Sequence, residues 1–138
     1  MKYALPVLIL IFIIAFTSCK KDNSPGSIVG KWFWVEQTYD SYTNNVLTNH
    51  SDYTTALDPL SYFEFDADGT FIEKPQSTTN VFNYGKYHII GDSLYVKRDI
   101  DQNEIHYFIK NLTTSSLIIH ATSIEQPYRG EEEFTMKR

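Results

Sequence analysis

From residue 28 onward, apolar and polar side chains alternate with a period of two in short runs. Phe63 and Phe65 share one parity, with Tyr62 and Glu64 on the other. Tyr87 with Ile89, Leu94 with Val96, Tyr107 with Ile109, Leu117 with Ile119, and Phe134 with Met136 repeat the pattern. Side chains two apart point to the same face of a strand, so each pair marks a face that turns inward. No stretch of this region carries a helical period. Eight strands are expected: Ile28–Tyr39, Ser61–Asp66, Thr70–Lys74, Asn83–Ile90, Ser93–Arg98, Ile105–Asn111, Ser116–Ala121 and Glu131–Lys137. The polar stretch from Asp40 to Leu60 is expected as a long loop, with room for a short helix or a stray strand.

The connections support the strands. Asp66-Ala67-Asp68-Gly69 and Gly91-Asp92 place glycine where a hairpin turn needs positive φ, and Leu112 to Ser115 is a third tight connection. Successive hairpins build an antiparallel meander, and a meander of about eight strands removes its exposed edges by closing on itself. The fold class expected is therefore all-β, a single antiparallel up-and-down β-barrel, with an open sandwich as the alternative. A barrel of about eight strands is either filled by its own side chains or just wide enough for one small ligand. Two places break the alternation: Trp32-Phe33-Trp34-Val35 and Leu117-Ile118-Ile119 are apolar on both faces. Such a segment needs an outer cover or leaves an exposed patch. If Trp32 faces inward, Trp34 and Glu36 follow it, which brings a carboxylate to the barrel mouth unless a bulge turns it to solvent.

The first 27 residues obey a different rule. Lys2 precedes an almost wholly apolar run from Ala4 to Phe16, broken only by Pro6, which has the form of a secretory h-region. A spanning helix needs roughly 20 apolar residues. This run ends well before that, at Thr17-Ser18-Cys19. Cys19 is the single cysteine of the chain, so it has no disulfide partner. Small residues directly before a cysteine resemble the lipobox of bacterial lipoproteins, with Phe16 where that family prefers leucine. The resemblance implies a signal peptide over residues 1–18, cleavage before Cys19, and acyl chains such as palmitate on its thiol. Those chains would anchor the mature protein stably to a membrane. Residues 19–27 are polar, contain Pro25 and Gly26, and read as a flexible tether to a domain spanning residues 28–138. Serine and lysine beside the cysteine also resemble surface lipoproteins of the Bacteroidetes, which implies the cell envelope, at the periplasmic or outer face of the outer membrane.

Charge narrows the choice of partners. The chain has 12 basic and 17 acidic residues; removing residues 1–18 takes away Lys2 alone, leaving 11 against 17 and a balance of −6. Such a chain has no general attraction for nucleic acid. His50, His88, His106 and His120 lack metal-ligand spacing and read as solvent-facing. Asp66-Ala67-Asp68-Gly69 shares Asp-x-Asp-Gly with calcium loops but lacks their later acidic ligands. No serine occupies a nucleophile elbow. Asp99, Asp101 and Glu131 to Glu133 read as solvated surface. No metal, no cofactor, no catalytic residue and no enzymatic activity are expected.

At Gly30-Lys31-Trp32 the chain resembles the lipocalins, in which a Gly-x-Trp opens the first strand. The order of later segments resembles the small bacterial lipocalin-like domains in particular. Asp68-Gly69-Thr70-Phe71 is followed by Gly85-Lys86-Tyr87, then by Gly91-Asp92-Ser93-Leu94, then by Ile109 to Leu117 with Leu112-Thr113 between. The long helix that follows the barrel in classical lipocalins is missing. The resemblance implies that Gly30 and Trp32 form the structural base of the barrel, with Lys137 or Arg138 over the Trp ring through a cation–π contact. It also implies a small apolar or amphipathic ligand inside, for which the inward aromatics Trp34, Phe63, Phe65, Tyr87 and Tyr107 are the candidate wall. If those side chains fill the barrel instead, the outer surface is the working part. The protein is then a non-enzymatic interaction or inhibitor module for an envelope protein partner, using the 40–60 loop with Tyr42 and Tyr53.

Overall fold

The computed structural model describes residues 26–54, 58–75 and 82–138. The expected signal peptide, Cys19 and most of the expected tether lie outside the described residues. Nine strands follow in order: β1 (Gly30–Thr43), β2 (Val46–Asp52), β3 (Tyr62–Phe65), β4 (Thr70–Lys74), β5 (Asn83–Ile90), β6 (Ser93–Arg98), β7 (Ile105–Leu112), β8 (Ser116–Glu125) and β9 (Tyr128–Lys137). Every pairing is antiparallel, and β3 to β9 form a meander whose two ends are joined by β1. The barrel of eight strands is closed as the turn pattern predicts, with β2 as an addition.

The stretch read as a loop holds that addition. Gly30 to Phe33 pairs with β3, whereas Thr38 to Thr43 pairs along the same edge with β2, and Phe33 to Thr43 pairs on the other edge with β9. β1, β2, β8 and β9 therefore run on past the barrel mouth as a four-stranded blade. Asn44 and Asn45, at φ of 52° and 62°, make the two-residue turn between β1 and β2. Asparagine tolerates that left-handed geometry better than most residues. β2 is exposed along nearly its whole length, so it has no buried face and leaves no hydrophobic signature. The same cause hides the outer parts of β1, β8 and β9 from a reading of periodicity.

At the closed end the basic residue over the Trp32 ring is Arg138. Its guanidinium lies 4.2 Å over the Trp32 ring and donates to the Ser27 and Val29 carbonyls at 2.7 and 2.6 Å. Trp32 is fully buried and donates its indole N–H to the Ile28 carbonyl at 2.7 Å. Gly30 sits at φ +129°, where a Cβ would meet the Arg138 guanidinium at 3.3 Å, so the strand bends there under the arginine.

Above this plug the interior is apolar. Phe65 packs on Phe71 and Tyr87, while Phe63 packs edge-on against Trp34 and against Phe134. Leu94, Leu117, Ile119 and Met136 fill the rest and are fully buried. The buried apolar side chains of the described residues form one core cluster inside the barrel. One alternation pair splits: Tyr87 is half-buried, but Ile89 is 40% exposed among the described residues. Outside, Phe33 and Val35 stay 36% and 37% exposed, so the doubly apolar segment leaves an open patch. His88, Tyr95 and His106 stack as an outer ladder with ring centroids 4.7 and 4.8 Å apart.

Candidate ligand cup

The apolar filling stops short of the mouth. Above it lies an open cup of about 380 Å³. Its floor is Trp34, Ile105, Tyr107 and Phe134, its rim carries Tyr53 and Pro75, and its polar wall is Gln37, Glu73, Arg98 and Glu132. A second hollow continues from it up the inner face of the blade, sharing Ile105 and Glu132 and adding Tyr39, Ala121 and Ser123.

The polar wall arises from the same period of two that fills the core. On β4 the inward parity runs from Phe71 to Glu73, on β6 from Leu94 through Val96 to Arg98, and on β9 from Met136 through Phe134 to Glu132. Each strand therefore carries its inward face one step past the apolar layers into a charged residue. Reading Glu131 to Glu133 as uniformly solvated surface misses this, because Glu132 faces the cup. Asp101 is not free surface either, since it holds Arg98 at 2.5 Å. On β1 the register shifts between Trp34 and Glu36. This bulge exposes Glu36 and turns Gln37 inward, so the amide, not the carboxylate, reaches the cup.

Of the five aromatics proposed from sequence as a wall, Trp34 and Tyr107 line the cup. Phe63 and Phe65 lie beneath it, fully enclosed. Tyr87 lies lower still and donates its hydroxyl to the Asp66 carbonyl at the turn between β3 and β4, at 2.8 Å. Gly30 and Trp32 sit at the opposite end. Tyr42 lies under the Arg129 guanidinium at 4.1 Å, while Tyr53 stands on the cup rim.

Most of the charges in the cup form one cluster around Arg98, and Glu132 stands apart from it. Arg98 donates through Nη1 to Glu73 Oε2 at 3.2 Å and through Nε to Asp101, and Asn83 adds a bond to the same Glu73 oxygen at 3.0 Å. Burial disfavours the charged guanidinium, but the bonds to Asp101 and Glu73 outweigh it and hold its pKa above the ordinary value. Glu132 accepts from Gln37 Nε2 at 2.9 Å. Burial pushes its carboxyl above the usual range, the Gln37 bond opposes this, and the nearby Glu73 charge adds to it. Burial likewise raises the Tyr107 phenol, with the Glu132 charge adding to the effect. Trp34 is 94% buried by its 6% exposure, and its indole N–H has no acceptor among the described residues.

A testable consequence follows for stability. A carboxyl whose pKa is raised by folding binds more protons in the folded than in the unfolded chain, so its ionisation favours unfolding. Its contribution is most favourable below the ordinary value of 4.5 and is lost as the pH climbs through the raised one. Glu132→Gln keeps an acceptor for Gln37 and removes this loss. The variant is expected to unfold at higher urea than the parent at pH 7, with the two curves converging below pH ~4.5.

A closed antiparallel barrel, plugged at one end and open to a lined cup at the other, is a domain of the ligand-binding type. Residues 28–119 match the lipocalin-like domain family, and the chain belongs to that family. Two solved structures share the fold. A lipocalin-like protein from Bacteroides uniformis, 12% identical, aligns over 82% of this chain and 99% of its own with a TM-score of 0.51. An uncharacterized protein from Bacteroides eggerthii, 11% identical, aligns over 81% and 99% with the same score. No curated protein matches the chain. Among the described residues no group of three or more His, Cys, Asp or Glu side chains is placed to hold a metal ion.

Proposed function

We propose that this protein is a lipid-anchored, non-enzymatic binding protein of the cell envelope that holds one small amphipathic molecule in the cup. The observation that carries this reading is the cup itself: about 380 Å³ with an aromatic floor and four polar side chains on its wall. That volume lies within the range of small-molecule sites, and an apolar floor under a few placed polar groups suits a ligand with one apolar and one polar end. A purely apolar guest fits less well, because it would strip water from Glu73, Arg98 and Glu132 without replacing it. The anchor is supported by the apolar run ending at Cys19.

Trp34 reports on the cup and Trp32 does not, which gives a direct test. Titrating the soluble form, residues 20–138, with a panel of amphipaths is expected to shift tryptophan emission, and Trp34→Phe is expected to abolish the shift. Unchanged emission across the panel, with calorimetry equally silent, would remove the cup as a binding site. For the anchor, palmitate label supplied to growing cells is expected in the parent protein and absent from Cys19→Ser. Equal labelling of both would refute lipidation.

A further inference from the structure

From the charge balance of the cup, and resting on the reading of the cup as a ligand site, we infer that its ligand is an organic cation: an amine carried on a flat apolar body.

The wall holds two carboxylates, Glu73 and Glu132, against one guanidinium, Arg98. Arg98 is already committed, because Glu73 and Asp101 both hold it, at 3.2 and 2.5 Å. An incoming carboxylate would have to compete with two resident ones for the same donor and would stand beside Glu132. Glu132 is the unbalanced group. Its only hydrogen bond from the described residues comes from the neutral amide of Gln37, and its second oxygen takes none. The other cation near the rim, Lys74, pairs with Asp58 at 3.7 Å. The chain between Pro75 and Phe82 adds no ionisable side chain, so it does not change this balance.

The floor suits the rest of such a molecule. Trp34, Tyr107 and Phe134 present rings around the carboxylate, with Trp34 and Phe134 centroids 4.9 Å apart. Aromatic faces attract a desolvated cation, and they also take up a flat apolar body. The net charge of −6 left without residues 1–18, 11 basic against 17 acidic residues, adds a field that draws cations and repels anions on approach.

The test uses three probes that share a phenyl body and differ in their head: 2-phenylethylamine, 2-phenylethanol and 3-phenylpropanoate, titrated by calorimetry into residues 20–138. The amine is expected to bind roughly tenfold or more tighter than the carboxylate, a difference of about 1.4 kcal/mol. Glu132→Gln is expected to weaken the amine by a similar factor and to leave the alcohol within about twofold. If the alcohol or carboxylate binds as tightly as the amine, or Glu132→Gln leaves amine affinity unchanged, the inference falls while the cup remains a binding site. If none of the three binds but other amphipaths shift Trp34 emission, the inference falls alone. If no amphipath binds at all, the cup reading falls with it.

Discussion

Replacing Trp32 by alanine is expected to lower the unfolding free energy by about 3–5 kcal/mol, the range for emptying a large aromatic site in a core. That is a large share of the roughly 5–15 kcal/mol that stabilises an ordinary domain. Three losses coincide at this position. The fully buried ring leaves a hole at the barrel base, the Ile28 carbonyl loses its indole donor, and Arg138 loses the aromatic face it covers. Urea unfolding of Trp32→Ala beside Trp32→Phe separates them, since phenylalanine restores much of the volume but not the N–H. Phenylalanine is expected to recover more than half of the loss. A Trp32→Ala protein as stable as the parent would mean that the base does not hold the barrel together.

Gly85→Ala is expected to destabilise by about 3 kcal/mol, the upper end of the cost of forcing volume into a filled site. Gly85 faces the interior on β5, opposite Arg98 on β6. A Cβ there would lie well inside contact distance of the Lys97 carbonyl and 2.9 Å from the Arg98 Cα. Both obstacles are backbone, so β5 and β6 must separate to admit it. Gly91→Ala provides the comparison. Gly91 has φ +60° but nothing within 4 Å of a Cβ, so only the backbone conformation is penalised, by about 1 kcal/mol. Equal effects at the two positions would contradict the close approach. The damage at Gly85 should also reach the cup, because it displaces the strand that carries Arg98.

Much of this architecture is legible in the amino-acid order, and the parts that are not share one physical cause. Phe63 and Phe65, or Leu94 and Val96, announce their strands because one face of each is dry. The glycines at 69 and 91, at φ of +83° and +60°, announce the turns. β2 is silent because it buries nothing, and only the Asn44-Asn45 pair hints at it. The cup is legible in principle but easily misread. Glu73, Arg98 and Glu132 keep the inward parity of Phe71, Val96 and Phe134, yet a charge at the end of an apolar run ordinarily signals that the strand has reached water. The single strand leaves open whether Glu36 faces the mouth or a bulge turns it to solvent. The bulge appears only in the register between β1 and β9.

That register also governs the order of events in assembly. β9 lies between β8 and β1 and is paired with both along most of its length, and β1 is its partner from the far end of the sequence. An emerging polypeptide can form the β3 to β8 hairpins early, but its edges stay unzipped until the ten residues of β9 have been made. Contacts of such long sequence separation form slowly. A chain of this design therefore closes late, only after its last strand is complete.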